Sequence, residues 1–265
     1  MNNKTGNSNN KRNIKMILEY DGSGYAGWQR LGTITGKRSI QSILEEHLSG
    51  YLKEDIKLIG SGRTDAGVHA LGQVANFHCF SEISVADMKA ALNTLLPEDI
   101  KVHCIEEADK EFHSRYWAKS KSYEYRIDQG QVQGVFTRKY TCHVPEPLDT
   151  EAMRKGAAFL IGTHDFKAFS TDRKDGRTTV RTIENINIYR PGNTKYQSPS
   201  GEIRIAVTGD GFLYNMVRII IGTLIETGRG IKKPEEVLGI LEGKNRQQAG
   251  VTVSSQGLFL VEVRY

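Results

Sequence analysis

An α+β fold in two similar halves is predicted by three observations. Strand-like and helix-like segments follow in the order strand, helix, strand, strand, helix, strand between Ile14 and Ala108. The same theme returns, less cleanly, between Ser122 and Tyr265. No low-complexity linker lies between them, so one rigid body is expected rather than two tethered domains.

Ile14 to Tyr20 alternates and is β-rich, and a glycine-rich loop, Asp21 to Gln29, follows it. Ser39 caps a helical run that places Ile40, Ile43, Leu44 and Leu48 on one face. Ile56–Ile59 and Gln73–Phe80 read as strands on either side of the loop Ser61 to Ala70. A second helix is expected from Ser84 to about Leu96, and a strand from Ile100 to Ala108. This is the order of a ferredoxin-like split βαβ unit. In the second half, strands are expected at Ser122–Asp128, Ile183–Tyr189, Glu202–Thr208 and Leu258–Tyr265. Helices are expected near Thr150–Ile161, Phe212–Thr227 and Pro234–Leu241. The expected plan is therefore a disordered tail over 1–12, a half over 13–111 with the glycine-flanked loop, and a half over 112–265. The two α/β sandwiches, with mixed or antiparallel sheets, would meet at a central basic cleft.

The chain has 265 residues, 38% apolar and 25% charged, enough for a sizeable core and with no apolar run long enough to cross a bilayer. Its first eleven residues lack the apolar centre of a secretory signal and read as a frayed tail. Lys and Arg number 36 against 31 Asp and Glu, a formal charge of +5, which is compatible with a polyanionic partner without requiring one. Lys110, Arg115, Lys119, Lys121 and Arg126 interleave with Phe112, His113, Tyr116, Trp117, Tyr123 and Tyr125; Arg173, Lys174, Arg177 and Arg181 form a second cluster. Cations for phosphates mixed with flat rings for bases suit an RNA surface, but a solvated hairpin over core aromatics has the same composition. Cys79, Cys104 and Cys142 are isolated and odd in number, so small core residues in a reducing cytoplasm are expected, and neither a disulfide framework nor a metal site. His69, His113 and His164 also lack metal-ligand spacing.

Asp65 stands out because Gly62 and Gly67 flank it, and glycines permit a sharp bend and a close ligand. An ordinary turn stabilised by Asp is the other reading. Arg218 lies among Met216, Val217, Ile219, Ile220 and Ile221; if buried it needs a carboxylate, and otherwise Asn215, Arg218 and Glu226 form a polar stripe.

The loop Gly62-Arg63-Thr64-Asp65-Ala66-Gly67-Val68-His69-Ala70, preceded by Tyr20-Asp21-Gly22 and Gly27-Trp28-Gln29, resembles that of the tRNA pseudouridine synthase A family. The likeness continues in order through Phe112-His113-Ser114-Arg115, Lys121-Ser122-Tyr123-Glu124-Tyr125, Gly162-Thr163-His164-Asp165-Phe166, Met216-Val217-Arg218 and Gly257-Leu258-Phe259-Leu260. It covers Ile14 to Tyr265. The resemblance implies the pseudouridine synthase fold and cofactor-free isomerisation of uridine to pseudouridine in the anticodon stem-loop of tRNA, at positions 38, 39 and/or 40. By matching position Asp65 is the nucleophile, Arg218 its ion-pair partner, and Arg63 the residue that fills the gap left by the flipped base. Tyr123 would stack on the uracil, unless it faces the core like Tyr125, and Leu258 would line its pocket. Phe112, His113, Ser114, Arg115, Tyr116, Arg173, Lys174, Arg177 and Arg181 would grip the tRNA. A cytoplasmic homodimer, with no membrane and no nucleotide cofactor, is implied as well. One departure stands before the terminal Gly-Leu. The chain reads Val251-Thr252-Val253-Ser254-Ser255-Gln256 where the family tends to carry an Ala-Pro element, so the pocket contact made there does not carry over.

Two rivals are disfavoured. A plain RNA-binding protein has no use for Asp65, which repels phosphate, and a nucleotide-dependent enzyme would show a phosphate-cradling glycine motif, which the segment near Asp21 does not.

Overall fold

The computed structural model describes residues 11–30, 36, 38–171, 178–192 and 201–265. The chain forms two compact units that divide between Ala118 and Lys119. Together they make a mixed α+β protein of ten strands and five α-helices among the described residues.

In the first unit, β1 (Arg12–Tyr20) is followed by α1 (Ile40–Leu52), β2 (Ile59–Gly60), β3 (His69–Cys79), α2 (Val85–Leu95) and β4 (Ile100–Ala108). Arg12 already pairs with Cys79, so the tail expected over 1–12 does not include it. The sheet runs β4-β1-β3-β2, every neighbour antiparallel. Ile14, Met16, Leu18 and Tyr20 alternate onto the buried face of β1, as period-two spacing requires. Ser39 caps α1 through a reciprocal box with Ser42, and Ile40, Ile43, Leu44 and Leu48 are buried beneath it. Each such side chain contributes roughly 1.5–3 kcal/mol by leaving water. Ser84 caps α2, which packs on β4.

Residues 112–118 belong to this unit rather than opening the next, and a buried amide pair explains why. Asn13 Nδ2 donates to the Phe112 carbonyl at 2.9 Å, and Asn76 Oδ1 accepts from the Ser114 amide at 3.0 Å. Asn76 Nδ2 also donates to Asn13 Oδ1 at 2.9 Å. These bonds satisfy groups that burial would otherwise leave costly.

The second unit contains β5 (Ser120–Asp128), β6 (Cys142–His143), α3 (Thr150–Ala158), β7 (Gly162–Asp165), β8 (Val180–Tyr189), β9 (Glu202–Gly209), α4 (Met216–Gly228), α5 (Glu236–Gly243) and β10 (Leu258–Arg264). Its antiparallel sheet runs β10-β5-β9-β8-β7, with β6 parallel to the end of β5. Setting aside the short β6 and β7 and the extra helix α5, strands β5, β8, β9 and β10 stand in the order 4-1-3-2, as β1 to β4 do in the first unit. Helix α4 is buried along nearly its whole length. It packs against α3. It starts at Met216, later than the sequence suggests, because Asn215 takes a left-handed conformation that helix cannot include.

Candidate active site

The loop carrying Asp65 runs from β2 into β3. The Val68 amide donates to the Asp65 carbonyl at 3.1 Å. Gly67, in the third position of this turn, has φ of +76°, the requirement of a type II turn that glycine meets without a clash.

Three sets of contacts fix the loop. From β1, the Tyr20 hydroxyl lies 2.8 Å from Thr64 Oγ1, both groups buried. Burial pushes the Tyr20 phenol up to about 12, although hydrogen bonds from Thr64 and Gln73 oppose the rise. From β3, Gln73 Oε1 accepts from the Ser61 hydroxyl at 2.7 Å and Gln73 Nε2 donates to the Gly62 carbonyl at 3.1 Å. A bulge brings these groups together: Leu18 pairs with Gln73 but Tyr20 with Ala70, so β3 spends an extra residue beside the loop. From the glycine-rich segment, the Trp28 amide donates to the Thr64 carbonyl at 3.0 Å. Gly27, at φ +91°, lies so close that a Cβ there would meet that carbonyl oxygen at 2.5 Å and the Asp65 carbonyl carbon at 2.9 Å. Where the loop enters β3, the buried His69 Nδ1 lies 3.1 Å from the Gly22 amide and 3.2 Å from Asp21 Oδ1. Asp65 is half-buried, and Arg63, two residues earlier, is exposed.

Sequence reasoning missed most of this clamp. Tyr20 and Gly27 lie in recognisable motifs, but Thr64 and Gln73 carry no chemical signature of their own. The available signal was a Gln in the middle of an apolar strand, a polar group that must be satisfied once buried.

In the second unit, Tyr123 and Tyr125 share one face of β5 and stand opposite Leu260 and Leu258 of β10. Both tyrosines are buried; Tyr123 meets the Phe212 ring edge-on at a centroid distance of 5.3 Å. The Tyr125 hydroxyl donates to the Ser254 carbonyl at 2.9 Å. Burial holds its phenol well above the ordinary range, with Arg218 pulling weakly the other way. Arg218 is half-buried: Nε donates to the Val253 carbonyl at 2.8 Å and Nη1 to Asn215 Oδ1 at 3.0 Å. Thus Tyr125 and Arg218 hold two successive carbonyls of the 251–256 segment, the stretch where the sequence departs from its family pattern.

The candidate RNA contacts divide by burial. Ser114 is fully buried, its hydroxyl donating to the Ile59 carbonyl, and Phe112 is buried with the Trp117 ring edge-on at 5.7 Å. Arg115 and Tyr116 face solvent, and His113 Nδ1 accepts from both of their amides, at 3.2 and 3.3 Å. The His113 and Tyr116 rings lie 4.2 Å apart and 32° from parallel. Arg181 is half-buried and donates to the Thr178 carbonyl at 3.0 Å. Arg173, Lys174 and Arg177 lie outside the described residues. Among the described residues no group of three or more His, Cys, Asp or Glu could hold a metal ion. No helix among the described residues is long and apolar enough to cross a membrane.

Fold and loop together define an α+β protein of repeated strand order that presents one carboxylate from a turn anchored on all sides. A family model described as tRNA pseudouridine synthase matches residues 16–117 and 157–265. The tRNA pseudouridine synthase A of Acetivibrio thermocellus is 43% identical over 254 residues, 96% of this chain and 100% of that protein. That of Bacillus sp. (strain KSM-64) is 46% identical over 253 residues, covering 96% and 99%. The tRNA pseudouridine synthase A 2 of Clostridium tetani is 46% identical over 254 residues, again 96% and 99%. The chain belongs to the tRNA pseudouridine synthase family.

Proposed function

We propose that this chain is a tRNA pseudouridine synthase, an isomerase acting on uridines 38, 39 and/or 40 of the anticodon stem-loop with Asp65 as nucleophile. The observation that carries the reading is the clamp on the Asp65 loop, which fixes the backbone bearing one carboxylate through Tyr20, Thr64, Gln73 and Gly27. A group that must meet a single reacting atom gains from such pre-positioning. Family membership over both units supplies the substrate class.

The chemistry balances without a redox partner. The bond from C1′ to N1 of the uracil breaks, the base turns, C5 bonds to C1′, and the C5 proton is released while N1 ends protonated. A carboxylate serves by attacking the sugar or the base, or by stabilising positive character on the ribose. The base must first leave its stack, at a cost of a few kcal/mol. Arg63 fills the vacated space, while Tyr123 stacks on the uracil, contributing roughly 1–3 kcal/mol, and Leu258 lines the pocket. Arg218 pairs with Asp65 and holds it ionised.

On this reading each half is a ferredoxin-like unit, the first carrying the catalytic loop and the second pocket and RNA contacts. The matching strand orders support it. Phe112, His113, Ser114, Arg115, Tyr116, Arg173, Lys174, Arg177 and Arg181 form the tRNA grip, which is split between exposed contacts such as Arg115 and buried supports such as Ser114. The enzyme acts as a cytoplasmic homodimer. The test is release of tritium from C5-labelled uridine in tRNA by the purified chain, with no cofactor and with chelator present. Release at the anticodon stem-loop alone is the expected outcome, and none under these conditions rejects the reading.

A further inference from the structure

Asn215 sits in an unusual place. Three non-glycine residues among those described have positive φ: Lys53, Lys244 and Asn215. The lysines close α1 and α5 at their C-termini, where left-handed residues are routine. Asn215 instead opens α4, at φ 60° and ψ 5°, and its side chain makes no capping bond to the helix amides. An N-cap asparagine ordinarily has extended backbone and spends its oxygen on those amides.

Here both ends of the amide go elsewhere. Asn215 Oδ1 accepts from Arg218 Nη1 at 3.0 Å, and Asn215 Nδ2 donates to Thr171 Oγ1 at 3.1 Å. The Thr171 amide returns a bond to the Tyr214 carbonyl at 3.3 Å, tying the same corner through the backbone. Arg218 Nε meanwhile donates to the Val253 carbonyl. These two acceptors help to set the guanidinium plane, and one of them is a side chain whose own orientation is fixed by Thr171. A strained residue whose side chain forgoes its local role is the pattern of a functional constraint.

We infer that Asn215 is a positioning residue for the isomerisation, aiming Arg218 through its side-chain oxygen. The inference rests on the proposed function, since Arg218 matters there as the partner of Asp65. Glycine adopts the left-handed conformation freely, so Asn215→Gly keeps the backbone corner and deletes only the amide. Asp tolerates the same conformation and restores the oxygen facing Arg218.

The experiment measures tritium release, kcat and KM for tRNA on wild type, Asn215→Gly, Asn215→Asp and Thr171→Val, with melting temperature as the fold control. Asn215→Gly is expected to remain folded and lose kcat by about 10–100-fold with KM little changed, the size of loss a small misplacement causes. Asn215→Asp is expected to recover most of that loss. Thr171→Val, which frees the amide without removing it, is expected to fall between them. Wild-type kcat in Asn215→Gly, a loss confined to KM, or an Asp variant as impaired as the Gly variant overturns the inference. An inactive wild type refutes the proposed function instead, so the two failures are distinguishable.

Discussion

Tyr20 Oη and Thr64 Oγ1, 44 residues apart in sequence, stand 2.8 Å from each other inside the first unit. This bond joins the end of β1 to the residue immediately before Asp65. Removing the hydroxyl in Tyr20→Phe leaves the Thr64 hydroxyl and the Gln73 amide short of a buried partner. The expected cost is about 1–3 kcal/mol. It should be seen as a lower urea midpoint with unchanged slope, accompanied by a fall in kcat. Unchanged stability would show that water replaces the bond.

The same phenol gives a pH signature. Its value is raised from 10.0 to about 12, so the folded protein keeps this proton where the unfolded chain has lost it. The folded state then binds more protons, and stability falls as pH rises from about 10 to about 12. Two pH units at 1.36 kcal/mol each amount to roughly 3 kcal/mol for this one group. The difference in unfolding free energy between wild type and Tyr20→Phe should shrink across that window and be constant below it. A constant difference throughout would remove the phenol from the alkaline limb.

Gly27→Ala tests the close approach. The new methyl would press on the Thr64 carbonyl oxygen at 2.5 Å, and the residue has φ of +91°, so both sterics and backbone oppose it. A loss of about 2 kcal/mol or more is expected, with turnover falling further than stability alone explains, because the atoms displaced belong to the Asp65 loop. Gly24→Ala is the control in the same segment, since a Cβ there meets nothing within 4 Å. Equal effects at both positions would show a general intolerance of the segment rather than a specific contact.

How legible all this is in sequence depends on where the backbone bonds go. β1, α1 and α2 are readable because alternation and capping serines act locally, and the structure places each within a few residues of expectation. Ile56–Ile59 looks equally strand-like, yet the ladder holds only Ile59 and Gly60. Side chains satisfy the stretch before them: the Leu58 amide donates to Glu45 Oε1, and the Leu58 carbonyl accepts from Gln41 Nε2. Long-range bonds of that kind leave no period to read. β6 and β7 were missed because two to four residues are too short to alternate. The motif around Asp65 was visible as a pattern, while the groups that hold it, Thr64 and Gln73, emerge only once β1 and β3 lie side by side.

The 112–116 segment should separate into two behaviours. Arg115 is exposed, and Arg115→Ala is expected to weaken tRNA binding alike across tRNA species and to lower the slope of log affinity against log salt by about 0.7–0.9, one phosphate contact. Ser114 is fully buried. Ser114→Ala should leave the salt slope unchanged and lower stability by about 1–3 kcal/mol, because the Ile59 carbonyl loses its donor. Filter binding over a salt series and thermal unfolding distinguish them. A normal slope in Arg115→Ala would take that cation out of the tRNA interface.

Asp65→Asn is the sharpest test, because the amide keeps the shape of the side chain and removes only its charge and nucleophilicity. The loop is anchored through Thr64, Gln73, Trp28 and Gly27, and none of those contacts uses the Asp65 carboxylate, so the variant should keep its fold, with a lower melting temperature that reflects the proposed pair with Arg218. Affinity for tRNA should stay near wild type, since the cations proposed to meet phosphate are untouched. Tritium release should drop to background even in single-turnover reactions with enzyme in excess. Substantial residual turnover, after excluding deamidation back to aspartate by mass spectrometry, would mean that the carboxylate is not the reacting group. A collapse in melting temperature would instead show that the charge supports the loop, and Asp65→Ser would then be needed to separate chemistry from architecture.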